Sequence, residues 1–188
     1  MKLRMFFVMA VFVLGAAAIV TAAVAFNGSS VKAQLSGYEE IPTLSTQGNG
    51  AFKASIDKGG NEIKYTLTYS GPFDANPAGG TVTQAHIHLG ARAFSGGVSA
   101  FLCSNLGNAP AGTPACPVSG TVSGTITPAQ IVGPTNQGIQ PGEFAELVRA
   151  IQAGAAYANV HTTTFPAGEI RGQIGHGKGK DENKDEDN

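Results

Sequence analysis

Between residues 50 and 175 most of the chain alternates apolar and polar residues with a period of two, which is the pattern of half-buried β-strands. In EIKYTLTY, for example, every second residue is apolar. Similar short runs recur at AFKASI, TVTQAHIHL, GVSAFL, GTVSGTI, AYANVHT and GEIRGQI, separated by turn-rich stretches such as DKGGN and SGPFDANPAGG. Many short strands with Gly-, Pro- and Asn-rich turns predict a mainly β fold, an antiparallel Greek-key-like β-sandwich or barrel.

One segment, PGEFAELVRAIQAG, has helical rather than alternating spacing. Its large apolar residues recur every three or four positions, at Phe144, Leu147, Val148 and Ile151. Gly154 stands where such a helix would end. The spacing predicts one short helix near the C-terminus, with its apolar stripe packed on an open edge or end of the sandwich.

The N-terminus has the features of an export segment. Lys2 and Arg4 precede an uncharged, largely apolar run that ends at Phe26, and the AVA just before Phe26 reads as a small-x-small cleavage signal. The run is also long enough to cross a bilayer. We therefore expect residues 1–26 to be a signal peptide or an uncleaved N-terminal membrane anchor. Either alternative puts the rest of the chain outside the cytoplasm.

Charge is sparse elsewhere. Charged residues make up 13% of the chain and the formal net charge is -1, so there is no basic surface of the kind that binds a phosphate backbone, and no nucleic-acid partner is expected. Residues 175–188, GHGKGKDENKDEDN, mix lysines with acidic residues and contain no apolar anchor. This composition predicts a disordered, solvated tail.

The chain contains only two cysteines, Cys103 and Cys116. An exported protein meets an oxidising compartment, which favours pairing them in one disulfide. The intervening SNLGNAPAGTPA has the composition of a loop, and closing it would stabilise the fold by about 3 kcal/mol on the chain-entropy account. Two free thiols are the alternative.

Two of the four histidines stand two positions apart in TQAHIHLG. On a strand, His86 and His88 share one face, about 6.5 to 7 Å apart, while the apolar residues of the run share the other. His161 lies in a second alternating run, AYANVHT. If the two strands are neighbours, the three imidazoles form a compact cluster that suits one copper ion, or zinc with lower affinity.

Three polar residues would lie beside this cluster. Under the metal-site hypothesis, Asn159 or Glu169 orients a ring nitrogen of a ligand from outside the ligand set. Under the alternative hypothesis, the histidines only hydrogen-bond neighbouring turns, and Glu169 and Arg171 form a cross-strand ion pair. His176 follows the last run and is expected to take no part. No nucleophile–base order, paired carboxylates or phosphate-binding loop supports an enzyme.

Several motifs resemble the CHRD domain, a repeat first described in chordin and widespread in exported microbial proteins. They are LSGYEEIP, GNGAF, AHIHLG, GGVSAFLC, CPVSGTVSGTIT and AYANVHTTTFPAGEIRGQI. The resemblance covers residues 31–174 and implies an extracytoplasmic β-sandwich domain there. It implies no particular activity.

A weaker resemblance is to copper-zinc superoxide dismutases, β-sandwiches that hold copper with a strand H-x-H pair and a later histidine, near a C-terminal arginine. His86, His88, His161 and Arg171 occur in that order here. The chain has no bridging histidine and no cluster of zinc ligands, so this resemblance extends only to a mononuclear copper site. We therefore expect an exported CHRD-domain protein with such a site. An extracellular structural or interaction module with an unknown protein or surface partner is the alternative, and a dismutase-like enzyme has the least support.

Overall fold

A computed structural model describes residues 28–73 and 81–176. In these residues nine strands and one α-helix follow each other along the chain. They are β1 (Ser29–Ser36), β2 (Asn49–Ile56), β3 (Ile63–Ser70), β4 (Val82–Leu89), β5 (Val98–Ser104), β6 (Gly120–Ile126), α1 (Phe144–Gln152), β7 (Ala156–Thr162), β8 (Ile170–Gln173) and β9 (Gly175–His176).

All strand pairs are antiparallel, and the strands form one sheet in the order β5-β4-β7-β8-β1-β2-β3-β6, with β9 beside β1. The two end strands approach each other. Ala100 of β5 pairs with Ile131, which follows β6, and a disulfide joins Cys103 of β5 to Cys116 before β6. The sheet is thus a nearly closed barrel or sandwich, which confirms the predicted mainly β fold and the disulfide.

The core forms because alternation directs one face of each strand inwards. Phe52 and Leu67, which are register partners on β2 and β3, are both fully buried. The Tyr65 ring is also buried, and its hydroxyl donates to the carbonyl of Leu102 on β5 at 2.5 Å, across the interior. Burying side chains of this size stabilises the fold by about 1.5–3 kcal/mol each.

The predicted helix is confirmed as α1. Its apolar stripe is buried in the same core as the strands, at Phe144, Leu147, Val148 and Ile151. The helix contacts β7 and β9. Gly154, two residues beyond its end, has a positive φ of 68°, the backbone conformation that glycine favours after a helix.

The structure differs from the sequence predictions at two places. SSVKAQLS, which was not predicted as a strand, forms β1 in the middle of the sheet, with Val31, Ala33 and Leu35 buried. At the other end, the sheet continues into the predicted tail, because His176 on β9 pairs with Val31.

Of the predicted export segment and the predicted charged tail, only the first two residues of the tail are described. Residues 1–26 and 177–188 fall outside the described residues. In the part of the chain that is described, no helix has the length and apolar character needed to cross a membrane.

Candidate metal centre

The two strands that carry the cluster are neighbours. β4 pairs with β7 in a register that puts His86 opposite Asn159, His88 opposite Tyr157, and Gln84 opposite His161. His161 is therefore diagonal to His86, within side-chain reach on the same face of the sheet. The expected adjacency of the three histidines is confirmed.

The histidine face is not exposed to solvent, although the alternation predicted a polar face opposite the core. The exposed fractions of His86, His88 and His161 are 2%, 7% and 5%, and all seven residues of β7 are buried. Loops that follow β1, β4 and β7 fold over this face. Their side chains and main-chain groups contact the histidines and their neighbours, as described below.

The three imidazoles converge edge to edge. His86 Nδ1 lies 3.0 Å from His161 Nε2, and His88 Nε2 lies 3.4 Å from the same atom. One nitrogen from each ring lies within 4.8 Å of those of the other two. Two aromatic side chains fix the rings, because His86 packs edge-on against Phe101 and His88 stacks on Tyr157 with centroids 4.8 Å apart.

Main-chain carbonyls set the protonation of two of the rings. His88 Nδ1 lies 2.9 Å from the carbonyl of Gly96, and His161 Nδ1 lies 3.0 Å from that of Pro166. A carbonyl oxygen can only accept, so each Nδ1 carries the proton. In the neutral rings each Nε2 atom is then unprotonated and carries a lone pair. The two Nε2 atoms are 3.4 Å apart.

Burial keeps the rings neutral. Desolvation, with the neighbouring histidines as a lesser cause, lowers the pKa of His86 to about 2. Desolvation also lowers the pKa of His88 to about 4, against the opposing effect of the Gly96 hydrogen bond, and lowers the pKa of His161. Neutral imidazoles with convergent lone pairs are the form in which histidine binds metal ions.

Comparison with known proteins places this architecture in a family. The profile of the CHRD domain matches residues 31–174, which include most of the described strands and the whole histidine cluster. The chain belongs to the CHRD-domain family. CHRD domains are typically extracellular. No curated protein and no solved structure matches the chain.

Arg171 of the CHRD domain holds one of the covering loops. Its guanidinium lies 3.5 Å from the centre of the Tyr157 ring, a cation–π contact. It also donates to the carbonyls of Ala91 and Phe94, at 3.1 and 2.8 Å. Arg171 therefore ties the loop after β4 to the sheet.

Glu169 contacts different groups from Arg171, contrary to the ion pair expected from the sequence. Its carboxylate accepts hydrogen bonds from the hydroxyls of Thr46 and Thr162, at 2.6 and 2.7 Å. The Nδ1 atoms of His88 and His161 are hydrogen-bonded to main-chain carbonyls. The sequence analysis predicted that Asn159 or Glu169 would orient a ring nitrogen instead. The reason is that the covering loops bring their own carbonyls to the rings.

The sequence analysis missed Glu40, which belongs to the polar cluster of this CHRD domain. It directly follows the 3-10 turn Gly37–Glu39 after β1, is 7% exposed, and its Oε1 has no partner within the described residues. Burial raises its pKa to about 7, although the Arg171 charge and the Ile41 N–H act in the opposite direction. Glu40 stands in the motif LSGYEEIP, but a turn residue outside any periodic pattern gives no indication in the sequence that it is buried. His176 is exposed and lies outside the cluster.

Proposed function

We propose that this CHRD domain is exported and binds one transition-metal ion, copper more tightly than zinc, through His86, His88 and His161. The observation that carries the proposal is the 3.4 Å contact between His88 Nε2 and His161 Nε2. Both Nδ1 atoms donate to carbonyls, so this contact has no proton to share. Two lone pairs at this distance repel each other unless a cation lies between them.

The spacing agrees with a shared ion. Two nitrogens bound to one ion at about 2.0–2.1 Å with tetrahedral angles lie about 3.4 Å apart. His86 Nδ1, at 3.0 Å from His161 Nε2, would supply a third nitrogen, and one nitrogen from each of the three rings lies within 4.8 Å of the others. Three imidazoles suit copper and zinc, and copper(II) has the higher affinity in the usual divalent series. Bound copper would supply a Lewis acid and a one-electron redox centre.

His86 can become a ligand without breaking any other hydrogen bond. Without a cation, His86 Nδ1–H is the donor to His161 Nε2. Its own Nε2 is buried and has no partner among the described residues. Moving the proton from Nδ1 to Nε2 frees Nδ1 for the ion, and Asn159 stands opposite His86 in the register of β4 and β7.

The test is a titration of the full chain with Cu(II), followed by visible absorption and calorimetry. We expect one equivalent to bind, and His88→Ala and His161→Ala each to weaken binding by at least about 100-fold, because two imidazoles leave the ion largely to water. His176→Ala is the matched control and should leave the affinity unchanged. If all three variants bound Cu(II) with the same affinity, His88 and His161 would not be ligands and the proposed site would be wrong.

Export is supported by the family, by the disulfide between Cys103 and Cys116, and by the apolar run in residues 1–26. The intact mass of the protein from its native host distinguishes the two forms of export. A mass that starts near Phe26 means secretion, and a full-length mass means an N-terminal anchor. A reduced, cytoplasmic protein would contradict both.

A second candidate function is an extracellular interaction module. It is favoured by two large apolar side chains on the covering loops, Tyr38 and Phe94, which are 68% and 69% exposed. If the chain binds no copper yet a Tyr38→Ser, Phe94→Ser variant loses attachment to the native cell surface, this second function is the better one. A dismutase-like activity would require, beyond copper binding, catalytic loss of superoxide by the copper-loaded chain.

A further inference from the structure

All the lysines of the described residues lie around the start of β1. Lys32 and Lys53 are register partners on β1 and β2, and Lys64 on β3 lies in the next row towards that start. Lys58 lies in the turn between β2 and β3, where a Cβ on Gly28 would be 3.1 Å from its Cγ. All four side chains are exposed. We call this cluster the lysine surface. The sparse overall charge gave no sign of it, because its members come from three strands and a turn.

The positive charge of the lysine surface is only partly compensated. Within the described residues, Lys64 alone of the four is in an ion pair, with Glu62 at 3.0 Å. The other carboxylate at this end of the sheet, that of Asp57, accepts hydrogen bonds from three main-chain N–H groups of its own turn. By contrast, both exposed arginines of the described residues are paired with glutamates. The unpaired exposed cations of the described domain are therefore concentrated at one place.

The same surface contains a shallow cavity of about 430 Å³. Ammonium and hydroxyl groups can all donate to an anion there, and a phosphate diester offers only acceptors. Two like charges directly opposite on neighbouring strands destabilise a sheet, and an anion bound between them removes that repulsion. The polar side chains that line the cavity are Ser30, Lys32, Lys53, Ser55, Lys64 and Thr66.

The position of the lysine surface along the chain indicates which anion it meets. The uncharged run predicted as a signal peptide or anchor ends at Phe26, and β1 begins at Ser29. Even a fully extended chain spans only about 11 Å over these three steps. The run is about as long as the hydrocarbon core of a bilayer requires. In the anchored form, the start of β1 and the lysine surface around it would therefore lie at the lipid headgroups.

We propose that the lysine surface binds the anionic phospholipid headgroups of the membrane that holds residues 1–26, with a lipid phosphate in the cavity. Lysines close to an anionic membrane surface are attracted to it, and the short connection to residue 26 keeps the local concentration of headgroups high. The outward face of β1, β2 and β3 then lies against the membrane. The proposal rests on the anchored form of export and needs no metal ion.

The test is chemical footprinting of the full chain added to preformed vesicles. Vesicles of phosphatidylcholine are compared with vesicles in which phosphatidylglycerol replaces half of it. Acetylation of each lysine by sulfo-N-hydroxysuccinimide acetate, which does not cross bilayers, is followed by mass spectrometry. Relative to Lys184 in the acidic tail, the four lysines of the surface should react at least about threefold more slowly in the anionic vesicles. At 1 M NaCl, where the Debye length is about 3 Å, the difference should disappear.

Variants locate the contact. Lys53→Gln with Lys64→Gln should remove at least about half of the protection of Lys32 and Lys58, because the surface loses two of its four ammonium groups. Arg92→Gln with Arg149→Gln is the matched control. It removes the same number of positive charges from ion pairs elsewhere on the surface, and should leave the footprint unchanged. Both variants can be compared with the wild type in the same two lipid mixtures.

Two results would overturn the proposal. The first is equal reaction of the four lysines in both kinds of vesicle. The second is protection that is already present without lipid and is lost on Asp181→Asn with Glu182→Gln, since the lysine surface would then bind the acidic tail that follows β9. The footprint uses the metal-free chain inserted directly into vesicles. Its result is therefore separate from the copper titration and from the intact mass that tests export.

Discussion

The two halves of the sheet use the same strand pattern in different surroundings. In the half formed by β1, β2, β3 and β6, inward positions are buried and outward positions are mostly exposed, as Lys32, Lys53 and Thr68 are. In the half formed by β4, β7 and β8, outward positions are buried as well, because loops cover them. We call these the solvated half and the covered half.

The comparison shows that a period of two reveals which residues share a face of a strand. It does not reveal whether solvent or another part of the protein lies against that face. In the solvated half, outward polar groups are exposed to solvent or hydrogen-bond each other across strands, as Thr68 and Thr121 do at 2.9 Å. In the covered half, each outward polar group needs a partner from the protein or from a ligand. Arg171 and Glu169 find partners in the loops and threonines, whereas atoms of His86, Asn159 and Glu40 do not. The candidate metal centre lies among these unsatisfied atoms.

The largest expected effect is on the free energy of unfolding when an outward-facing residue is replaced in each half. Tyr157 is 2% exposed and packs against both His88 and Arg171, so Tyr157→Ala should lower the free energy of unfolding by about 3–5 kcal/mol. Thr68→Ala, at an outward position of the solvated half, should cost less than about 1 kcal/mol. Urea unfolding of the metal-free chain measures both. Similar costs for the two variants would show that the covering loops contribute little packing.

The disulfide connects β5, the end strand next to β4 of the covered half, to the segment just before β6 of the solvated half. Its cysteines are 13 residues apart in sequence and their Cα atoms are 5.0 Å apart. Reduction, or the Cys103→Ser, Cys116→Ser variant, should lower the unfolding free energy by about 3 kcal/mol, chiefly because the unfolded chain gains freedom. Urea unfolding with and without reductant measures this change. A loss below about 1 kcal/mol would mean that β5 and β6 are held by packing alone.

The buried carboxyl of the covered half should make stability depend on pH. The pKa of Glu40 is raised in the folded state from 4.5 to about 7, so the folded protein favours the neutral form. Stability is therefore lost as pH rises from about 4.5 through 7. In the metal-free chain, Glu40→Gln should be more stable than the wild type by about 3 kcal/mol at pH 8, and close to it at pH 4, below the unfolded pKa.

Thermal or urea unfolding at the two pH values tests this dependence. Glu39→Gln, at the exposed neighbouring position, is the control and should shift stability little at either pH. A Glu40→Gln variant that is less stable at pH 8 would mean that the ionised carboxylate is stabilised by Arg171 more than burial disfavours it.

The sequence predicted the strands and the helix because their periodicity is set by backbone geometry, which is local. EIKYTLTY and the FAELVRAIQ segment show this most directly. β1 was missed although SSVKAQLS alternates, because short runs near an apolar N-terminus are hard to separate from it. The histidine cluster was predictable from the shared face, but its burial was not, because it depends on loops without periodicity. Glu40 could not be placed at all, since its role depends on the fold of the turn after β1.

The smallest expected effect lies in the solvated half. Lys32 and Lys53 are exposed register partners on β1 and β2, so two like charges stand directly opposite each other. Such pairs are destabilising, by an amount comparable to the gain from opposite charges. Lys53→Glu should raise the unfolding free energy by about 0.5 kcal/mol at low salt, and Lys53→Gln, which only removes the repulsion, by about half of that.

Salt separates this electrostatic effect from a change in strand propensity. At 1 M NaCl the Debye length falls to about 3 Å, so an exposed pair is largely screened. The advantage of Lys53→Glu over Lys53→Gln should then disappear, while any propensity difference persists. Urea unfolding of the three proteins at about 20 mM and 1 M NaCl measures both contributions. An advantage that survives 1 M NaCl would mean that residue 53 is not simply a solvated surface position, and that the outward face of β1 and β2 is itself covered.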